Sequence, residues 1–209
     1  VICFAIYKIS THEKYGGWAN LEDHEFSGAR LFWNQHWASL MIGMAFFFGL
    51  ILRIQWYIIP SMNSSGTATW DMIGGSDPWY MKRVVDYILA NNAHMIIDAD
   101  RFYPVGGINP RPPIFTWSIA VFAMLLEPFF ENGDAVWWAI LSLPAIYGSL
   151  TIFPVAIIAR EHIGQKASVI AAWLIAFMPA HVSHTTWALA DHDAFIMLFI
   201  TLGFMFWLR

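Results

Sequence analysis

The sequence predicts an all-α membrane protein: a polytopic bundle of transmembrane helices with one long external loop that contains surface helices. Three observations predict it. Of the 209 residues, 58% are hydrophobic and only 12% charged, whereas a soluble domain is about half apolar and about a quarter charged. Twelve residues are Trp, a type that concentrates at the membrane–water boundary. Four apolar stretches reach or approach the ~20 residues a helix needs to cross the hydrocarbon core. Composition also excludes alternatives. A net charge of -4 provides no basic stripe for nucleic acid. The lone cysteine, Cys3, rules out an internal disulfide and a Cys-rich metal site.

Residues 1–36 are polar and mixed, with Glu22, Asp23 and Glu25 against Lys8, Lys14 and Arg30, and are expected on the cytoplasmic side. Their apolar opening, Val1 to Ile9, is too short to span and lacks a signal-peptide pattern. The first span is expected over residues 37–59, bracketed by Trp33, Trp37, Trp56 and Tyr57 as interface anchors. The second is expected over 136–159, the third over 167–187 and the fourth over 194–208. Pro144, Pro154 and Pro179 fall inside them, tolerable where neighbouring helices satisfy the freed carbonyls. The chain opens on Val1 rather than Met and stops at Arg209 after an apolar run, which reads as a fragment.

Residues 114–130 are the ambiguous stretch. Only 114–126 run uninterrupted before Glu127 and Pro128, a length that suits an interfacial or re-entrant helix. If this stretch does not cross, Arg160, Lys166 and Arg209 share a side with the N-terminus. The acidic Glu131-Asn132-Gly133-Asp134 loop then falls opposite. That agrees with the excess of Lys and Arg in short cytoplasmic loops. Residues 37–209 are accordingly read as a four-span membrane domain whose residues 60–135 form one external loop. Within the loop, Ser76 or Asp77 can cap a helix whose first residue is Pro78, a favoured first position. Tyr80, Val84, Tyr87 and Ile88 continue it at helical spacing, and Asn91-Asn92 is its stop. Its amphipathic pattern suits the membrane surface. Residues 103–113, rich in Pro and Gly, cannot be helical.

Two acidic clusters stand out, Gly75-Ser76-Asp77-Pro78 and Asp191-His192-Asp193. In the four-span arrangement both face outward. Alternate carboxylates in a short turn can face one hard cation, and a third from a distant loop adds charge. Each cluster also has a plainer reading, Asp77 as a helix N-cap and Asp191 or Asp193 as caps of the last span. Asp98-Ala99-Asp100 is a rival pair, better suited to a structural role in its loop. His181, His184 and His192 could suggest zinc, but no His-Glu-x-x-His signature is present. Arg53, inside the first span, either snorkels or pairs within the bundle. Lys82, Arg83, Arg101 and Arg111 flank the acidic loop and could meet phosphate. Asn63-Ser64-Ser65 is an N-glycosylation acceptor pattern.

The order of motifs is specific. A first span is followed by Ser-Asp-Pro-Trp-Tyr-Met-Lys-Arg (76–83), then Asp-Ala-Asp-Arg-Phe-Tyr-Pro-Val-Gly (98–106). Beyond two more spans comes Pro-Ala-His-Val-Ser-His-Thr-Thr-Trp-Ala-Leu-Ala-Asp-His-Asp (179–193). Over roughly residues 37–209 this resembles the catalytic subunit of oligosaccharyltransferase, most closely its archaeal, AglB-like form. The resemblance implies a GT-C-type membrane glycosyltransferase of the cell membrane. Such an enzyme transfers a glycan from a polyprenyl (dolichyl-type) phosphate or diphosphate carrier to the Asn amide of Asn-x-Ser/Thr acceptors. By position, Asp77 matches the family's first-loop Asp, implying a catalytic role and metal binding. Asp191 and Asp193 match its later Asp-x-Asp ligands for Mg²⁺ or Mn²⁺. Implied partners are a lipid-linked oligosaccharide, an acceptor polypeptide and membrane lipid. The sequence departs from the family at His184, a position often Arg. It also ends before the family's later acidic ligand and its Trp-Trp-Asp-Tyr-Gly motif, so the chain alone is expected to be inactive. The competing classes are another polyprenyl-phosphate glycosyltransferase such as a protein O-mannosyltransferase, a cation transporter, and a non-catalytic homologue.

Overall fold

Helix α1 spans Ala19–Ile58, and within it His36–Ile54 is long and apolar enough to cross a membrane. The structure, a computed structural model, describes residues 19–58, 72–130 and 134–209. The expectations for Val1 to Ile9, for Asn63-Ser64-Ser65 and for Glu131-Asn132-Gly133 lie outside the described residues. So do those for the side chains of Glu22, Asp23, Glu25, Arg30, Trp56 and Tyr57. The chain divides into two units, Val1–Met41 and Ile42–Arg209. All contacts below are within the second.

Helix α2, Ser76–Asn91, begins directly after Gly74 and Gly75, at φ 95° and 79°. Only glycine adopts such angles freely. The glycine pair turns the chain into the helix, so Gly75 occupies the cap position and no side chain caps it. This corrects the expectation that Ser76 or Asp77 would cap. The stop is as expected: Asn92 is left-handed, and its N–H donates to Ile88 O at 2.8 Å. Met81, Val84, Val85 and Ile88 face the core, while Tyr87, expected with them, is exposed. The turn-rich segment departs from an all-α chain. Strands β1 (Ile97–Asp98) and β2 (Gly107–Ile108) pair antiparallel, Ile97 with Ile108 and Asp98 with Gly107.

Helix α3, Pro113–Leu126, starts on a proline and ends in a 3-10 turn, Glu127–Phe129. Its 14 residues match the short apolar run read from the sequence. The second expected span is two helices, α4 (Asp134–Leu150) and α5 (Ile152–His162). Pro154 explains the break, because its ring opposes the carbonyl four residues earlier, that of Leu150. Together they form a 29-residue apolar stretch long enough to cross a membrane. The third expected span is not one helix. Helix α6 (Gln165–Phe177) stops because Pro179 pushes Met178 into an extended conformation with ψ 116°. A single-turn helix α7 (Pro179–Ser183) follows, then irregular chain as far as α8 (Asp193–Trp207). At 13 and 15 residues, α6 and α8 are shorter than the ~20 of a full crossing.

Helix α2 packs on α3, α3 on α4, α4 and α5 on α8, and α5 on α6. The main core joins Met81, Val84 and Ile88 of α2 to Phe115 and Ile119 of α3, Ile140 of α4, and Trp187, Ala188 and Ala190 of the irregular segment. A second core is made of small residues, Ala45, Ala156, Ala172 and Ala176 around Ile152, which let helix backbones approach closely.

Candidate active site

Backbone hydrogen bonds stitch the two acidic loops together. Ile73 N–H donates to Ala188 O at 3.1 Å, and Ala188 N–H to Leu141 O at 2.9 Å. Ala188 is fully buried with φ 69°, a strained angle for alanine. Gly74 lies flush against Leu189, where a Cβ would collide with its side chain. The turn that launches α2 is thus fastened to the segment leading into Asp191, and Asp77 sits in the first turn of that helix.

Arg111 carries the connection across. Its Nη2 donates to Asp77 Oδ1 at 2.5 Å, and its Nη1 lies 3.4 Å from His192 Nδ1. The Asn109 carboxamide fixes the Arg111 backbone by accepting its N–H at 3.0 Å, and prolines follow at 112 and 113. Asp191 Oδ1 accepts the backbone N–H of His192 at 2.7 Å and stands 2.5 Å from His192 Nδ1. A carboxylate only accepts, so Nδ1 carries the proton. The Arg111 contact with that nitrogen is therefore packing rather than a hydrogen bond. In the neutral ring the free lone pair is on Nε2. His184 Nδ1 lies 3.1 Å from Asp193 Oδ2, so His184 adjoins this cluster.

Asp77 is not a cap, and neither Asp191 nor Asp193 caps α8, whose start has no side-chain cap. Their plainer readings are therefore not what the structure contains. Asp191, His192 and Asp193 each offer a ligand atom, all within 4.8 Å of one another. Atoms ~2.0–2.6 Å from one hard cation reach such separations, so the cluster is a candidate acidic metal site. Asp77 stands outside this trio and is joined to it through Arg111.

The rival sites have other roles. Arg83 Nη2 donates to Asp98 Oδ1 at 2.7 Å and to Asp100 Oδ2 at 2.6 Å, clamping α2 to the hairpin. The Asp100 hydrogen bond, assisted by the Asp98 charge, raises the pKa of the guanidinium. His181 binds Arg53 rather than the other histidines, and among the described residues the three do not form a metal-ligating group. Arg53 pairs within the bundle and does not snorkel, since it is fully buried. A cleft of about 330 Å³ adjoins Asp77, lined by Tyr80, Arg83, Asp98, Arg101 and Arg111 among others. In the sequence Arg111 is one of several cations flanking the acidic loop. Its setting between Pro110 and Pro112-Pro113, which holds the backbone rigid, is the signal that sets it apart.

Residues 38–209 match a family model described as oligosaccharyl transferase STT3, N-terminal. The chain is 30% identical over 131 residues to dolichyl-phosphooligosaccharide-protein glycotransferase 3 of Archaeoglobus fulgidus, covering 62% of this chain and 15% of that protein. It superposes on an A. fulgidus oligosaccharyltransferase structure in complex with Zn and sulfate (TM-score 0.66, 25% identity, 79% of this chain and 20% of that one). It likewise superposes on one tethered to an acceptor peptide containing the NVT sequon (TM-score 0.66, 26% identity, 78% and 19%). The chain thus spans about 15% of the length of the curated relative.

Proposed function

The chain belongs to the oligosaccharyl transferase STT3 family, and from that membership we propose that it forms part of the catalytic unit of a membrane enzyme of protein N-glycosylation. The enzyme moves a glycan from a polyprenyl phosphate or diphosphate carrier to the side-chain amide of Asn in Asn-x-Ser/Thr acceptors. The observation that carries this reading is the meeting of the two acidic loops at Arg111, which is hydrogen-bonded to Asp77 and packs against His192, itself paired with Asp191. It links a first-loop carboxylate with a later Asp-His-Asp turn. The relative's name, a dolichyl-phosphooligosaccharide-protein glycotransferase, and the acceptor peptide in the solved relative support the substrate classes.

The membrane arrangement belongs to the same proposal: four crossings, with residues 60–135 external. The ion pair of Arg209 Nη2 with Glu161 Oε1 at 2.6 Å supports it, because it joins the ends of α5 and α8 on the side assigned to the cytoplasm. Asp193, at the other end of α8, then lies at the outer face, where a lipid carrier presents its phosphate.

In the reaction the bond from the sugar's anomeric carbon to the carrier phosphate oxygen breaks with its electron pair leaving on the phosphate, and a bond to the Asn amide nitrogen forms. The proton that nitrogen gives up passes to the departing phosphate. That nitrogen is a poor nucleophile because its lone pair is delocalised into the carbonyl. Asp77 accepts a hydrogen bond from the amide N–H and draws the nitrogen towards the cleft. Arg111 holds the Asp77 carboxylate in place. Its five N–H donors exceed the contacts it makes here, so the rest are available to a phosphate oxygen. Asp191 and Asp193, with Asp77, would hold a divalent cation, which as a Lewis acid stabilises charge on the departing phosphate. The Zn of the solved relative supports a metal in this family, with Mg²⁺ or Mn²⁺ proposed here. Asp77→Asn and Asp191→Ala in the intact enzyme test the proposal. Each is expected to lower glycan transfer by roughly 100-fold or more while leaving membrane insertion unchanged. Unimpaired turnover in both would overturn the assignment.

A further inference from the structure

Arg53 is the group the proposed chemistry leaves unused. Its guanidinium is fully buried, and every acceptor around it is neutral. Nε donates to Thr185 Oγ1 at 2.8 Å, Nη1 to Gly49 O at 2.8 Å and Ala176 O at 3.1 Å, and Nη2 to His181 Nδ1 at 2.7 Å. A guanidinium only donates, so His181 Nδ1 is the acceptor. The ring proton then sits on Nε2, which is buried and has no partner among the described residues. A charge held without a counter-charge and a stranded N–H break local rules that proteins relax chiefly where geometry serves function.

The geometry here is that of the segment leading to Asp191. Arg53 reaches the last turn of α6 at Ala176, α7 at His181, and Thr185 beyond it. The Thr185 hydroxyl donates onward to His181 O at 2.6 Å. The carbonyl of Arg53 accepts Trp187 N–H and the Thr186 hydroxyl, each at 3.0 Å. One residue thus grips Thr185, Thr186 and Trp187, which lead through Ala188, the residue bonded to the Asp77 loop, to the Asp-His-Asp turn. Space for the grip comes from two glycines. A Cβ at Gly49 would stand 3.2 Å from Arg53 Nη1, and one at Gly148 would run into Thr185.

We propose that Arg53 is a positioning residue, whose side chain and carbonyl together set the path of residues 184–193 and so present Asp191 and Asp193 towards Asp77. The inference rests on the metal-site reading for its consequence but not for its geometry. The test compares Arg53→Met, Arg53→Lys and Thr186→Val with wild type in the intact enzyme. Amide hydrogen exchange and Mn²⁺ affinity by electron paramagnetic resonance are the two readouts. In Arg53→Met, exchange over residues 184–193 is expected to quicken at least about tenfold while α4 stays protected. Mn²⁺ affinity is expected to fall about 10–100-fold. Arg53→Lys falls between, because an ammonium cannot serve all four acceptors, and Thr186→Val shifts both readouts the same way by less. Unchanged exchange in Arg53→Met overturns the proposal, as does a uniform loss of protection that includes α4. If Arg53→Met does not accumulate, Thr186→Val decides, since it removes only a hydroxyl, and unchanged exchange there is the overturning result. Mn²⁺ binding by wild type that survives Asp191→Ala would sink the metal-site reading alone, because exchange still decides for Arg53.

Discussion

Arg111 is the residue on which the candidate site turns, since its guanidinium meets both Asp77 and His192. Arg111→Ala is expected to raise the apparent KM for the lipid-linked donor about tenfold, and to lower kcat as Asp77 loses its anchor. Arg111→Lys should recover part of the KM effect only, because a point charge cannot reproduce the planar fork that bonds Asp77 and keeps further donors free. Steady-state transfer assays with donor and acceptor varied separately would separate these effects. At this scale the sequence was partly legible. Asp77, Asp191 and Asp193 stand out as carboxylates at segment ends, and the Asp98-Asp100 pair reads as structural, as its Arg83 clamp bears out. Asp77's freedom from capping was not legible, because only the backbone angles of Gly74 and Gly75 shift the cap position back by one residue. Nor could spacing foretell the partner of Arg53, since His181 and Thr185 lie 128 and 132 residues away.

Between elements, close backbone approach sets the site. Gly148 of α4 lies against Thr185, with no room for a Cβ. Gly148→Ala is expected to lower stability by about 1–3 kcal/mol through overpacking, and to weaken Mn²⁺ binding through the shifted 184–193 segment. Thermal unfolding followed with and without Mn²⁺ measures both. Gly74→Ala combines a collision with Leu189 and a φ of 95°, so it should cut transfer by disturbing the entry to α2 and the Leu189 segment packed on it, with α4 and α5 unaffected. The opposite end behaves differently. The Arg209 hydrogen bond holds the Glu161 carboxyl below its ordinary pKa. Its contribution is therefore present above the unfolded carboxylate range and fades as pH falls through the lowered value. Glu161→Gln removes that dependence and should leave transfer at neutral pH unchanged, since exposed pairs contribute little. Helix lengths were the least legible feature here. Apolar runs merge α6, α7 and residues 184–187 of the irregular segment into one expected span. Pro179 and its effect on Met178 end the helix ten residues short of 187.

For the whole molecule, the proposed arrangement requires Asp77 and Asp191 to meet on one side of the membrane. Single cysteines at positions 77 and 192 should react with a membrane-impermeant reagent from the outer face, and one at 166 only from the inner face. Labelling of 77 and 192 from opposite faces would refute the four-span reading. The helical class and the short length of α3 were legible because composition and uninterrupted apolar runs record them directly. Contact between the two acidic loops was not, because it depends on Ile73 bonding to Ala188 and on Arg111 reaching across. The most direct measurement of that contact is a double-mutant cycle on Mn²⁺ affinity with Asp77→Asn and Asp191→Asn in the intact enzyme. One shared site predicts that each substitution weakens binding and that their effects do not add, with a coupling of about 0.5–3 kcal/mol. Mn²⁺ affinity unaltered by Asp77→Asn, beside a large loss in Asp191→Asn, would contradict the single site.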